Sequence, residues 1–194
     1  MNETNVNDIV NEEYVEELMQ KMEALTEDMR GAIRAKDQKA QKDVLLRVLA
    51  IEKELEAIQA AQRAKLSALL DLDDVTDADE QVARLLLGFE LGAKLSHLYS
   101  DVAPENDARN AVMQQTYAVG HALDAIGTGR RLALATFLDH PHLSVRAMAA
   151  ASLPDLLPEK AIPVLTEIQK TAPGTSASMV ALTTLTIYEH RNKT

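Results

Sequence analysis

The chain has 194 residues, a formal net charge of −10, no Cys, no Trp, four Tyr and two Phe. Its apolar fraction of 46 % is too high for a disordered protein, and a chain of this length can bury a core. The lack of Cys excludes a disulfide framework, a thiolate metal site and a thiol nucleophile. Abundant Ala and Leu, with few Gly and Pro, predict an all-α fold.

The pattern of the N-terminal part of the chain predicts a helical hairpin. Apolar residues spaced by three and four predict a first helix over 8–35 and a second helix after a short polar turn. Asp37 in that turn is the expected N-cap of the second helix. Leu45, Leu46 and Leu49 make the apolar face of the second helix too wide for one partner helix. We therefore expect the hairpin to pack on something else.

Further along the chain, breaks and caps delimit more helices. The second helix is expected to break near Ala60, before a short helix that ends at Leu70. Thr76 and Asp79 resemble a capping box, in which the earlier residue caps the third helix. The remaining helices are predicted at 77–99, 104–126, 130–138, 143–153, 159–170 and 176–190.

A weak internal repeat suggests how the helices are arranged. When the chain is shifted by 68 residues, residues 50–71 lie over residues 118–139. In both segments a long helix, a break, a short helix and an acidic stop follow in order. Helical units repeated at a fixed period indicate an α-solenoid of stacked antiparallel hairpins. We expect residues 1–72 to be a diverged hairpin repeat and 73–194 the main repeat domain of one continuous solenoid.

The negative charge is confined to the first part of the chain. Residues 1–80 carry 20 acidic and 10 basic side chains, whereas residues 81–194 carry 10 of each. Such acids either complement a helix dipole on a solvated face or face a basic partner. The candidate partner-binding residues are Asp71, Asp73, Asp74, Asp77, Asp79 and Glu80, followed by Glu12, Glu13, Glu16 and Glu17.

The segment around residues 138–153 resembles a HEAT repeat. An acidic residue and a proline, Asp139 and Pro141, form the turn, and Val145 with Arg146 opens a helix of small residues. In this reading Val145 packs between helices and Arg146 reaches the carboxylate of Asp139. The resemblance implies a HEAT-like stack of helices.

Residues 82–190 also resemble a small bacterial family of uncharacterised helical domains. The family pattern, Gly-x-Gly-Arg-Arg followed by Leu-Asp-His-Pro and Val-Arg, is matched from Gly127 to Arg146. Such domains are similar to immunity proteins that lie beside bacterial polymorphic toxins and block one cognate toxin. The resemblance brings no catalytic residues with it.

Other candidate chemistry is weak. His140 and His142 beside Asp139 suit turn residues better than metal ligands, because no third His lies nearby. The acidic run from Asp71 has Thr76 where an EF-hand loop needs Gly. We expect no metal and no cofactor.

The basic residues of the second half do not indicate nucleic-acid binding. Arg130, Arg131 and Arg146 form its one basic cluster. The cluster is a candidate site for a phosphate or an acidic peptide, but we expect the first two arginines to reach solvent instead. The chain lacks the net positive charge and the aromatic platforms that nucleic-acid binding requires.

The sequence thus favours a non-enzymatic binding protein. We expect an immunity protein that covers the active site of a basic toxin domain. The alternative is a homodimeric scaffold or regulatory adaptor that pairs through the N-terminal hairpin. The N-terminus has no signal-peptide pattern, and no stretch is long and apolar enough to span a membrane, so we expect a soluble cytoplasmic protein.

Overall fold

A computed structural model describes residues 12–102 and 107–192, and across these ranges the chain is helical without any strand. The predicted all-α class is therefore confirmed. The expected start of the fourth helix near Pro104 lies outside the described residues. In order, the elements are α1 (Glu12–Arg34), α2 (Gln38–Leu70), α3 (Ala78–Val102), α4 (Asp107–Ile126), a 3₁₀ helix (Arg130–Phe137), α5 (Leu143–Ala151), α6 (Pro158–Thr171) and α7 (Ser176–Asn192).

The chain divides into two compact units, Met1–Lys65 and Leu66–Thr194, and the division falls within α2. In the first unit, α1 and α2 bury apolar residues from the predicted pattern of three- and four-residue spacings: Leu18, Leu25, Val44 and Leu55. Asp37 caps α2 as predicted, because its Oδ1 accepts hydrogen bonds from the backbone N–H groups of the second and third residues after it, both at 3.0 Å.

The predicted break near Ala60 is wrong, since α2 runs without interruption to Leu70. The segment around Ala60 holds Ala and Gln but neither Gly nor Pro, so nothing in the local sequence interrupts the helical hydrogen bonds. At the corresponding place in the second half the helix does break: α4 ends at Ile126, and Gly129, with a φ of +82°, directly precedes the 3₁₀ helix. The two segments matched by the 68-residue shift therefore differ at the break.

The second unit contains one apolar core to which every element from α3 to α7 contributes. Phe89, Leu123, Leu134, Met148 and Leu165 are fully buried in it or nearly so. On α5 the small residues predicted to let helices approach closely are fully buried: Ala147, Ala149 and Ala150.

The packing of α3 on α4 is tightest where Gly92 faces Thr116. A Cβ added to Gly92 would lie 2.2 Å from the Thr116 Oγ1. That hydroxyl is fully buried and donates a hydrogen bond to the Val112 carbonyl at 2.8 Å. The helices approach this closely because residue 92 has no side chain.

In the described part of the chain, no helix combines the length and apolar character needed to cross a bilayer.

Candidate functional site

The acidic segment that the sequence singled out, residues 71–80, forms the connection between α2 and α3 and the first turn of α3. All six of its carboxylates are exposed. The segment is anchored by the buried side chain of Val75 and by a hydrogen bond from the Gln81 side-chain amide to the Val75 carbonyl at 2.6 Å. It is therefore a defined surface feature, which we call the acidic loop.

Two of the six carboxylates hold the backbone of the acidic loop. The Asp77 Oδ1 accepts hydrogen bonds from the N–H groups of Asp79 (3.1 Å) and Glu80 (2.8 Å), so Asp77 caps α3. The predicted cap at Thr76 is wrong, because α3 begins one residue later than a Thr76 cap requires. The Asp71 carboxylate accepts from the Asp73 N–H at 3.2 Å.

Two further carboxylates are paired with arginines. Asp74 contacts Arg84 at 3.0 Å, and the same guanidinium donates to the Ala68 carbonyl at 2.8 Å. Asp79 contacts Arg130 at 2.7 Å. The expectation that Arg130 reaches solvent is confirmed, since its side chain is 43 % exposed, and at the surface it meets a carboxylate that is distant in sequence.

Asp73 and Glu80 are the remaining acids of the loop, and within the described residues their carboxylates make neither an ion pair nor a hydrogen bond. With Arg84 and Arg130 counted, the acidic loop still has a local excess of negative charge. The geometry thus separates acids with a structural task from acids that are free to meet a partner.

The second group of predicted acids lies on α1. Glu12 and Glu13 fall at its start, and their side chains are outside the part described. Glu16 and Glu17 are exposed, and Glu17 lies 3.9 Å from Lys21 in a pair of mostly exposed side chains. Such a pair contributes little to stability.

The Leu-Asp-His-Pro segment has a structural task within the second unit. The Glu90 carboxylate on α3 lies 3.2 Å from the Lys94 amine and 3.4 Å from His140 Nε2. His140 Nδ1 accepts a hydrogen bond from the His142 N–H at 3.0 Å, which holds the turn before α5. All three charged or ionisable side chains are less than one-fifth exposed, so this is a buried polar network within the core.

Two expectations for this segment are tested by the geometry. The predicted pair between Asp139 and Arg146 is wrong, because no ion pair joins these two described residues, and the Arg146 Nε is buried without a hydrogen-bond partner. Across the described residues, no group of three or more His, Asp or Glu side chains is placed to hold a metal ion.

A polar groove lies in the second unit, beside Arg131 of the predicted basic cluster. It is formed by α4, the 3₁₀ helix and the turn after α5, and its volume is about 160 Å³. Burial raises the pKa of the Tyr117 hydroxyl above its usual value of 10.0. The lining residues are Tyr117, Gly120, His121, Arg131, Ala151, Ser152, Pro154 and Asp155.

Arg131 is positioned in this groove by an ion pair with Asp124, at 3.1 Å. The expectation that Arg131 extends to solvent is therefore wrong, because its side chain is only 24 % exposed and lies along α4. The sequence signal that was available is the i, i+4 pair of Tyr117 and His121 with Gly120 between them. This spacing places both side chains on one face of a helix.

Comparison of the chain with family models, with curated proteins and with solved structures gives no significant match. The resemblance to HEAT repeats and to immunity proteins thus remains a prediction from the motif residues.

Proposed function

We propose that this chain is a non-enzymatic binding protein of the immunity type, which neutralises a basic toxin domain by covering its active site. The observation that carries the proposal is the acidic loop: six exposed carboxylates on a segment anchored by the buried Val75 and by hydrogen bonds to its backbone. A surface with an excess of one charge accelerates association with an oppositely charged partner and favours it over other partners.

The arrangement of the second unit supports a HEAT-like stack as the scaffold of this surface. Consecutive helices α5, α6 and α7 contact one another, and α5 lies against α3 and the 3₁₀ helix. Small residues on α5 permit the close contacts that stacked repeats need, since Ala147 and Ala150 are fully buried. In this proposal the first unit adds a further hairpin.

The partner is best sought through the gene next to the one that encodes this chain. If that gene encodes a large secreted protein with a variable C-terminal domain, co-expression of this chain should rescue cells from that domain. Failure to rescue, in cells that accumulate the folded chain, would contradict the immunity function.

The role of the acidic loop is tested with the purified pair. We expect the double substitution Asp73→Lys and Glu80→Lys to slow association by about tenfold or more at low salt and to flatten its salt dependence. These two acids are chosen because they hold neither the backbone nor an arginine. The matched control reverses two exposed acids elsewhere, Glu56→Lys and Glu167→Lys. Equal association rates for both double variants would reject the acidic loop as the docking surface.

A second candidate function is a homodimeric scaffold or adaptor. It is favoured by one observation: Leu45, Leu46 and Leu49 on α2 are each at least half exposed, as the width of the predicted apolar face implied. Sedimentation of the full chain and of the Leu46→Glu variant tests this function. A dimer that dissociates in the variant would support the scaffold, whereas a monomer in both would reject it.

A further inference from the structure

The groove beside Arg131 is lined by hydrogen-bond donors that the protein itself does not use. Tyr117 and His121 make no side-chain hydrogen bond with another described residue. The Arg131 Nε is buried and has no hydrogen-bond partner, although one guanidinium nitrogen contacts Asp124. A buried donor without a partner costs free energy, so a group that satisfies the Arg131 Nε would bind favourably; Tyr117 and His121, which are exposed, offer further donors in the same groove.

The positions of these donors are set by the fold. Tyr117 and His121 lie one helical turn apart on α4, and the Asp124 carboxylate on the same helix holds the Arg131 guanidinium. The Arg131 side chain passes over Gly120, where an added Cβ would be in ordinary van der Waals contact with its Cδ, at 3.4 Å. The site is therefore present before any ligand arrives.

The volume of the groove limits the size of its ligand. The groove has a volume of about 160 Å³. Sites for nucleotides and for drug-sized molecules are larger, on the order of 300–1,000 Å³. The groove thus fits one small group rather than a whole cofactor.

We propose that this groove binds a small oxyanion, a carboxylate or a phosphate group, through Tyr117, His121 and Arg131. A tyrosine hydroxyl carries its proton at neutral pH and can donate, and burial raises the pKa of Tyr117 further. A neutral imidazole also presents one N–H, and Arg is the side chain best suited to oxyanions.

Two carboxylates lie near the proposed site, and both are matched by an arginine. Asp124 is paired with Arg131, and Asp155 lies 3.4 Å from Arg191. Asp155 lines the groove and is 62 % exposed. We therefore expect its charge to weaken the binding of an anion without preventing it. The site is separate from the acidic loop and does not depend on the immunity proposal.

The experiment titrates inorganic phosphate, and separately acetate, into the isotopically labelled full chain at constant ionic strength. Backbone amide resonances of Gly120, His121 and Arg131 are followed by NMR. We expect saturable shifts with a Kd on the order of 1 mM for at least one anion. If only phosphate saturates the site, its ligand is a phosphate group, and if only acetate does, its ligand is a carboxylate. If both anions saturate the site, it is a general oxyanion site.

Variants decide whether the groove causes the shifts. Arg131→Gln should weaken binding about tenfold or more, since it removes a charged donor. Tyr117→Phe, which keeps the ring in place, should weaken it about fivefold, and Asp155→Asn should strengthen it. Arg34→Gln on α1, which removes an exposed charge elsewhere, is the control and should change nothing. No saturation by either anion, or equal affinity in Tyr117→Phe and in the unaltered chain, would overturn the proposal.

Discussion

The contact between Gly92 and Thr116 leads to a sharp prediction about the stability of the second unit. Replacing Gly92 with Ala in the interior of α3 gains about 1 kcal/mol from helix propensity alone. The new Cβ, however, would lie 2.2 Å from the Thr116 Oγ1, far inside van der Waals contact. The hydroxyl has little room to yield, because it is fully buried and already bonded to the Val112 carbonyl.

The cost therefore outweighs the gain. Overpacking a core position costs about 1–3 kcal/mol, and a buried hydroxyl that loses its acceptor costs a further 1–3 kcal/mol or so. We expect Gly92→Ala to lower the free energy of unfolding by about 1–5 kcal/mol net. Urea denaturation followed by circular dichroism measures this change through the transition midpoint.

A matched glycine and a double variant test the reasoning. Gly31 lies within α1, and an added Cβ there would meet nothing within 4 Å beyond its chain neighbours and its own helix backbone, so Gly31→Ala should stabilise by about 1 kcal/mol. Adding Thr116→Ala to Gly92→Ala removes the clashing oxygen and should restore part of the loss, with a coupling of about 1 kcal/mol or more. A Gly92→Ala variant as stable as the unaltered chain would refute the close approach of α3 and α4.

Three further outcomes are expected. Glu90→Gln removes the carboxylate that pairs with the buried Lys94, and we expect it to lower the free energy of unfolding by about 3–5 kcal/mol. Its control is Glu17→Gln in an exposed pair of the same spacing, which should lower that free energy by less than about 0.5 kcal/mol. Equal shifts of the melting temperature in the two variants would contradict this prediction. Asp37→Ala removes the cap of α2 and should cost about 1 kcal/mol in urea unfolding, an effect that a Ser at the same position should largely spare. Because the pKa of Tyr117 is higher in the folded state than in the unfolded state, its contribution to stability is fully present below pH 10 and is lost as the pH rises through the folded pKa. Stability measured against alkaline pH should therefore fall less steeply in Tyr117→Phe, and an unchanged curve would argue against this prediction.

The sequence predicted the helices well because their signals are local. Apolar spacing placed α1 and α2, and a single carboxylate identified the start of α2 through bonds to residues two and three positions later. The predicted break at Ala60 failed for a related reason. The residues around Ala60 include neither Gly nor Pro, so local composition lets the helix continue, whereas the matching place in the second half holds glycines.

The candidate sites were predictable only in part. Charge counting identified the acidic loop and its ten-residue extent, but it could not assign a task to each acid. Asp74 pairs with a residue 10 positions away and Asp79 with one 51 positions away, so their partners depend on how the helices pack. Asp73 and Glu80 emerge as the acids without such a task only after those pairs are known.

The sequence by itself determined the helical class, the limits of most helices and the concentration of negative charge before residue 81, because each depends on composition or on neighbours within one or two turns. Tertiary structure alone decided the polar groove and the buried network of Glu90, Lys94 and His140. Both join side chains from elements that are distant in the chain, and such contacts arise only when helices meet in a particular register.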